Sequence, residues 1–117
     1  MTEMKRQKNV ETSVVPAVQR LLQIAKQDGG QGERVARFLL SWYNAKAWGG
    51  FDLSNLFSLE ASIKDDILNA IQFMLANPGI YPDDKVFGDD AFYDIEDIKK
   101  FWGRGALLDD ETRMLVY

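Results

Sequence analysis

The sequence predicts a mainly all-α fold, a compact bundle of about four helices with a possible short C-terminal β-hairpin. Four segments repeat apolar residues at the three- and four-residue spacing of an amphipathic helix, and turns containing glycine or proline separate them. The chain has 117 residues, of which 46% are hydrophobic and 27% are charged. This length is sufficient for one buried core. We therefore expect a single helical domain over residues 13–117, preceded by a flexible polar tail over residues 1–12.

The first predicted helix begins at a cap provided by Thr12 or Ser13 and ends before Gly29-Gly30. Pro16 would then lie in the first turn, where its missing N–H costs little because that position has no intrahelical partner. The apolar stripe of this helix consists of Val14, Val18, Leu21, Leu22 and Ala25. We expect this stripe to face the core.

The second predicted helix begins near Gln31 and ends at Gly49-Gly50, since glycine tolerates the left-handed conformation found at helix ends. Its apolar face consists of Val35, Phe38, Leu39, Trp42 and Ala45 or Lys46. After the glycines, Asp52 or Ser54 can cap a short turn. We expect Phe57 to pack beneath the third helix.

The third predicted helix has the most regular pattern of the chain. It begins near Ser58 or Glu60, and Asn77-Pro78-Gly79 ends it. Its apolar residues are Ile63, Ile67, Ala70, Ile71 and Met74. The opposite, solvent-facing side is expected to carry Lys64, Asp65, Asp66 and Asn69.

The fourth predicted helix is capped by Asp90 or Asp94 and ends at Gly103. Its apolar residues are Ile95, Ile98, Phe101 and Trp102. Beyond it, two short apolar runs, Leu107-Leu108 and Met114–Tyr117, flank a polar turn. This pattern favours a small hairpin over a final helical turn.

The sequence contains neither cysteine nor histidine. Without them the chain cannot build a disulfide, a thiolate nucleophile, a Ser-His-Asp triad or the usual ligand set of zinc. The segment Asp83–Asp94 resembles a calcium loop at positions 1, 6 and 12, but Lys85 and Phe87 occupy the ligand positions 3 and 5. We therefore expect no enzymatic activity, no bound metal and no cofactor.

Charge is distributed unevenly along the chain. Residues 1–48 carry eight Lys or Arg against four Asp or Glu, and residues 49–117 carry six against fourteen. The positive excess is too dispersed for a nucleic-acid-binding face, and Phe51–Glu60, the segment that would enter DNA in a helix-turn-helix arrangement, has no Lys or Arg. The acidic half could instead imitate nucleic-acid phosphates. Its candidate surface consists of Asp83, Asp84, Asp89, Asp90, Asp94 and Asp97.

Five aromatic residues lie within the seventeen positions of SWYNAKAWGGFDLSNLF, residues 41–57. Large rings usually fill a core, but Trp42 and Tyr43 point about 100° apart on a helix and Trp48 lies at its end, so some ring surface should be exposed. Trp, Tyr and Arg also dominate the binding energy of protein interfaces. Core packing therefore competes with a partner-binding patch composed of Tyr43, Trp48, Arg37 and Lys46.

Two stretches resemble a known family: RLLQIAKQDGGQGERVARFLLSWYNAKAWGGFDLSNLF, and IKDDIL followed by IYPDD, together covering roughly residues 17–84. This family consists of small helical proteins of unknown function carried by bacterial plasmids and integrative elements. The resemblance implies an accessory protein of a mobile element, and such genes often encode regulators of conjugation or inhibitors of host defence. It supplies no functional residues.

Two functions of different classes remain open. The first is a non-catalytic module that binds a protein partner through an exposed aromatic edge. The alternative is an acidic inhibitor that imitates nucleic acid and occupies a host defence or DNA/RNA-handling complex. No apolar run reaches the ~18 residues of a membrane span, so we expect a cytoplasmic protein without direct contact to membrane or nucleic acid.

Overall fold

Helices dominate the structure, a computed structural model that describes residues 2–103, with side chains described from residue 13 onward. The four α-helices are α1 (Thr2–Ile24), α2 (Gly30–Trp48), α3 (Ala61–Ala76) and α4 (Ala91–Ile98). Two 3₁₀ segments, Leu53–Ser58 and Lys85–Phe87, connect them, and a π turn, Lys99–Gly103, follows α4. The mainly helical prediction is confirmed. The predicted C-terminal hairpin is not supported: the described residues contain no strand, and residues 107–117 lie outside them.

Helix α1 begins ten residues earlier than the sequence predicted. It starts at Thr2, ten positions before the predicted cap Thr12, and Pro16 therefore lies in the helix interior rather than in the first turn. The segment 2–11 contains no glycine or proline and is rich in Glu, Lys, Arg and Gln, which have good helix propensity. Its polarity therefore indicates the lack of an apolar face and not the lack of a helix.

The core lies around the second half of α1, which packs most extensively against α3 and also contacts α2 and α4. All five residues of its predicted apolar stripe are buried. Val35, Phe38 and Leu39 of α2 are also buried, as are Ile63, Ile67 and Ala70 of α3. This part of the prediction is confirmed, because periodic apolar residues identify the face of a helix that leaves water.

Two ion pairs attach α3 and α4 to α1. The guanidinium of Arg20 donates two hydrogen bonds to the carboxylate of Asp66, at 2.9 and 2.8 Å. The Lys26 ammonium lies 2.7 Å from Asp94, whose other oxygen accepts a hydrogen bond from Gln23 at 3.2 Å. Both aspartates are buried, which corrects the prediction that they face solvent. Each can leave water because a cation compensates its charge: Arg20 of α1 for Asp66, and Lys26 of the turn after α1 for Asp94.

Helix α2 is interrupted before its end. Asn44 has non-helical backbone angles, and its side-chain oxygen accepts a hydrogen bond from the N–H of Ala47, so it caps a separate last turn. Ala45 and Lys46 are exposed and do not continue the predicted apolar face. Gly49, with φ of 97°, ends the helix as predicted.

The connection from α2 to α3 is held by side chains at both ends. Asp52 caps the 3₁₀ segment by accepting a hydrogen bond from the N–H of Ser54, as predicted. Gln31 of α2 donates to the carbonyl of Ser58 and accepts from the N–H of Glu60, which fixes the start of α3. Phe57, predicted to pack beneath α3, is 83% exposed. None of the residues of this 3₁₀ segment is buried, so the prediction for Phe57 is wrong.

Candidate functional site

The predicted aromatic patch is organised around Lys99, a residue of the π turn after α4. Its ammonium lies 3.3 Å from the Tyr43 hydroxyl and 4.9 Å from the centre of the Tyr43 ring, and 5.8 Å from the centre of the Trp48 ring. Glu96 completes the cluster at 2.6 Å. Partial burial opposes the charge of Lys99, but the hydrogen bonds to Glu96 and Tyr43 outweigh it and raise the pKa of this lysine.

The four predicted patch residues do not form one exposed surface. Tyr43 and Trp48 are half-buried and meet at Lys99, so their contacts join the end of α2 to the end of α4. Arg37 is half-buried and lies 3.6 Å from Glu33 on the same helix. Lys46 is exposed. Within the described residues, this cluster serves first as an internal contact.

A groove beside the start of α4 combines exposed aromatic rings with carboxylates. The groove has a volume of about 600 Å³. Its lining consists of Asp83, Asp84, Lys85, Gly88, Asp89, Phe92 and Tyr93. We refer to these seven residues as the α4 groove. Three carboxylates and one ammonium give its wall a negative charge.

The backbone that forms the α4 groove is fixed from below by Phe87. This ring is 1% exposed and packs edge-on against Trp42 and Phe73, at centroid distances of 5.8 and 5.3 Å. The carbonyl of Phe87 accepts a hydrogen bond from Gln19 of α1 at 3.1 Å. Gly88 then turns the chain with φ of 112°, a conformation that residues with a Cβ rarely adopt. The groove wall is therefore preformed.

Two adjacent aromatic rings form one side of the α4 groove. Phe92 is 50% exposed and Tyr93 is 65% exposed, and the rings meet edge to face at 5.3 Å. The apolar side of α4, with Ala91 and Ile95, is already buried against the core. The sequence prediction began the apolar stripe of this helix at Ile95 and left both rings unassigned. Tyr93 lies two positions from both Ala91 and Ile95, about 200° away on the helix, and this spacing could have identified it as exposed. Phe92 lies three positions before Ile95, and its exposure has no such signal in the spacing.

The remaining predicted acidic residues divide between surface and core. Asp84, Asp89, Asp90 and Asp97 are exposed, and Asp83 is half-buried. Asp94 does not belong to this surface, because Lys26 and Gln23 hold its carboxylate in the interior. No group of three or more carboxylates among the described residues is arranged to hold a metal ion.

Phe101, predicted to belong to the apolar face, is exposed, whereas the neighbouring Trp102 is half-buried and donates a hydrogen bond to the carbonyl of Ala25. The π turn contains one more residue per turn than the spacing assumed from the sequence, which rotates Phe101 out of the stripe. The exposed aromatic side chains of α4 and of the π turn that follows it are therefore Phe92, Tyr93 and Phe101.

Comparison with known proteins gives one match. Residues 15–103 match a family model described as a family of unknown function, DUF7673. The match extends beyond the resemblance at residues 17–84 and includes the α4 groove. No curated protein and no solved structure matches the chain. Separately, none of the helices in the part that the structure describes is both long and apolar enough to cross a membrane.

Proposed function

The chain belongs to the family of unknown function DUF7673, and from this premise we propose that it is a non-catalytic protein-binding module whose docking edge is formed by Phe92 and Tyr93. The observation that carries this proposal is the exposure of both rings at a preformed groove. Exposed aromatic residues beside a concave surface are typical of interface anchors.

Burial of these two rings by a partner would contribute substantially to the free energy of binding. Each ring leaves roughly 100 Å² of apolar surface in water, and covering it would contribute about 2.5 kcal/mol. Tyrosine and phenylalanine have only two side-chain torsions, so ordering them costs little entropy. Phe92 and Tyr93 already fix each other edge to face, which lowers that cost further.

The sequence placed the docking edge at Tyr43 and Trp48, and we now propose a different role for them. Both rings contact Lys99, which is 20% exposed and hydrogen-bonded to Glu96 of α4. A partner that inserted Trp48 into its own surface would have to break this contact first. We therefore propose that Tyr43 and Trp48 position α4, while Phe92 and Tyr93 meet the partner.

Site-specific crosslinking in native host cells tests the docking edge. A photoreactive phenylalanine analogue replaces Tyr93 in one variant and Leu75, an exposed apolar residue of α3, in a matched control. The proposal expects a discrete protein adduct from position 93 that position 75 does not give, and expects Phe92→Ser in the same chain to abolish it. Equal adducts from both positions, or none from position 93, would reject this edge.

The second candidate function, an acidic inhibitor that imitates nucleic acid, is favoured by the exposed carboxylates of Asp84, Asp89, Asp90 and Asp97. Burial of Asp94 removes one of its six proposed charges. The salt dependence of binding distinguishes the two candidates. The affinity of a mimic for its partner should fall steeply between about 50 and about 500 mM salt, a range that includes the roughly 0.1 M at which exposed charges are screened. The affinity of a complex anchored by aromatic rings should change little over the same range.

We further propose that the module is a cytoplasmic accessory protein of a bacterial plasmid or integrative element. The resemblance of residues 17–84 supports this setting. The genes next to its coding sequence test it: repeated occurrence beside conjugation or integration genes is expected. A coding sequence consistently embedded among housekeeping genes would contradict it.

A further inference from the structure

We infer that the α4 groove binds an arginine side chain of the protein partner. This inference rests on the proposed function, because it names the chemistry that Phe92 and Tyr93 would meet. It concerns the same groove and adds the identity of the group that enters it. The α4 groove combines aromatic faces with carboxylates, which together suit a guanidinium.

The aromatic wall provides one half of arginine recognition. Phe92 and Tyr93 meet at 87°, so each ring presents a different direction, and their exposure leaves ring surface open to the groove. A guanidinium is flat, weakly hydrated and stacks on aromatic faces, where its charge is attracted by the ring quadrupole. An ammonium is more strongly hydrated and gains less from such a wall.

The carboxylates provide the other half. Among the described residues, no ion pair involves Asp83, Asp84 or Asp89. Asp84 accepts a hydrogen bond from the N–H of Val86 through one oxygen, which leaves its second oxygen available. Carboxylates accept guanidinium N–H groups in paired, parallel hydrogen bonds. Lys85 is the cation in the lining, and the three carboxylates outnumber it, so the groove keeps a net negative charge that favours a cationic side chain.

Other occupants fit the α4 groove less well. A metal ion would need three or more converging ligands, and the described residues hold no such group. An acidic peptide would face three carboxylates. A purely apolar side chain would cover the rings but leave Asp83 and Asp89 to lose water without a partner.

Titration of the 15N-labelled full chain with three short peptides tests the inference. The peptides are acetyl-Gly-Arg-Gly-amide, the same peptide with citrulline, which is a neutral isostere of arginine, and the same peptide with lysine. The inference expects the arginine peptide to shift the amide signals of residues 83–93. It expects about tenfold weaker binding of the citrulline peptide, since a charge-assisted hydrogen bond is roughly twice as strong as a neutral one.

Variants then assign the effect to the groove. Asp83→Asn with Asp89→Asn removes charge at constant size, and Tyr93→Leu removes a ring face while keeping apolar volume. Both should weaken the binding of the arginine peptide by about two- to fivefold, a range set by a single exposed cation–π or ion-pair contact. The matched control Asp65→Asn, an exposed carboxylate of α3, should leave its affinity unchanged.

The outcomes separate this inference from the proposed function. Equal binding of arginine and citrulline peptides, or signals shifted across the whole acidic half, overturns the arginine inference. If the crosslink from position 93 is retained in that case, the docking edge stands and only its chemistry is wrong. If the crosslink is absent but the arginine peptide still binds in the groove, the groove chemistry is right and the proposed function is wrong.

Discussion

Replacing Asp94 by Asn tests whether this residue belongs to the core, as the structure has it, or to an acidic surface, as the sequence suggested. Asp94→Asn keeps the side-chain size and can still accept the hydrogen bond from Gln23, but it loses the ion pair with Lys26 at 2.7 Å. The Asp94 side chain is 12% exposed and that of Lys26 is 29% exposed. After the substitution the Lys26 ammonium can therefore be hydrated again, whereas the side chain at position 94 stays largely out of water.

The expected cost follows from these exposures. Removing one partner of a fully buried pair costs about 3–5 kcal/mol, and a hydrogen bond to a charged group contributes about 1.5–3 kcal/mol. Because Lys26 reaches solvent, the lower range applies, and we expect Asp94→Asn to lower the free energy of unfolding by about 1.5–3 kcal/mol. Equilibrium urea denaturation followed by circular dichroism measures it.

Asp97→Asn is the matched control, since Asp97 is an exposed carboxylate of the same helix. We expect it to change the free energy of unfolding by less than about 0.5 kcal/mol, as for most surface substitutions. Equal stability of the two variants would refute the reasoning. It would mean that the carboxylate of Asp94 is as well solvated as that of Asp97.

Two further changes test packing at the start of α2 and the contacts of Lys99. Gly-to-Ala in a helix normally stabilises it by about 0.5–1 kcal/mol, but the new Cβ of Gly32→Ala would overlap the carbonyl oxygen of Gln27. We therefore expect Gly32→Ala to lower the free energy of unfolding, measured by urea denaturation, by about 1–2 kcal/mol. Gly30→Ala is the control and should leave it nearly unchanged, because the new Cβ meets only the flexible end of the Arg34 side chain. Lys99→Met should lower the free energy of unfolding by an amount that is constant below about pH 10 and becomes smaller above it. The pKa of Lys99 is raised in the folded state, so the charged lysine stabilises the fold fully below the pKa of the unfolded state. This stabilisation is lost as the pH rises through the folded-state pKa. Unfolding curves of the unchanged protein and of Lys99→Met at pH 8 to 11 measure this effect; the pKa of free lysine is about 10.4. A stability difference between the two proteins that grows with pH would contradict a stabilising role of the charged lysine.

Apolar periodicity predicted most of the fold. The stripe of α1 and the buried positions of α3 follow from spacing alone, and glycine or proline marks the ends of α2 and α3. The start of α1 was missed because residues 2–12 have helix propensity without an apolar face. Spacing identifies a helix only where that helix is half-buried.

The two buried aspartates show why residue type alone misleads. Asp66 lies three residues after Ile63 and four before Ala70, so its position is on the apolar face of α3 although its charge suggests solvent. Its burial depends on Arg20, which is 46 positions away in sequence. A single sequence holds no local signal for such a partner. Position on the helix was the better guide.

The α4 groove could not be predicted for a related reason. Its carboxylates were recognised, but Phe92 and Tyr93 were not, because the groove depends on where the segment Asp83–Asp89 lies against α4. That placement comes from Phe87, Gly88 and the hydrogen bond from Gln19, which are contacts between distant parts of the chain. Exposed rings that complete a groove are visible only after the backbone has been placed.

The affinity of the crosslinked partner for two double variants tests the central claim most directly. Phe92→Ala with Tyr93→Ala removes the proposed docking edge, and Leu68→Ala with Leu75→Ala removes two exposed apolar side chains of α3. We predict that the first double variant binds about 100-fold more weakly, equivalent to about 2.7 kcal/mol, and that the second binds within about threefold of the unchanged protein. This loss is about half of the roughly 5 kcal/mol that covering both rings could contribute, because ordering and desolvation costs offset the rest. Equal losses in the two variants, or no loss in the first, would contradict docking through α4.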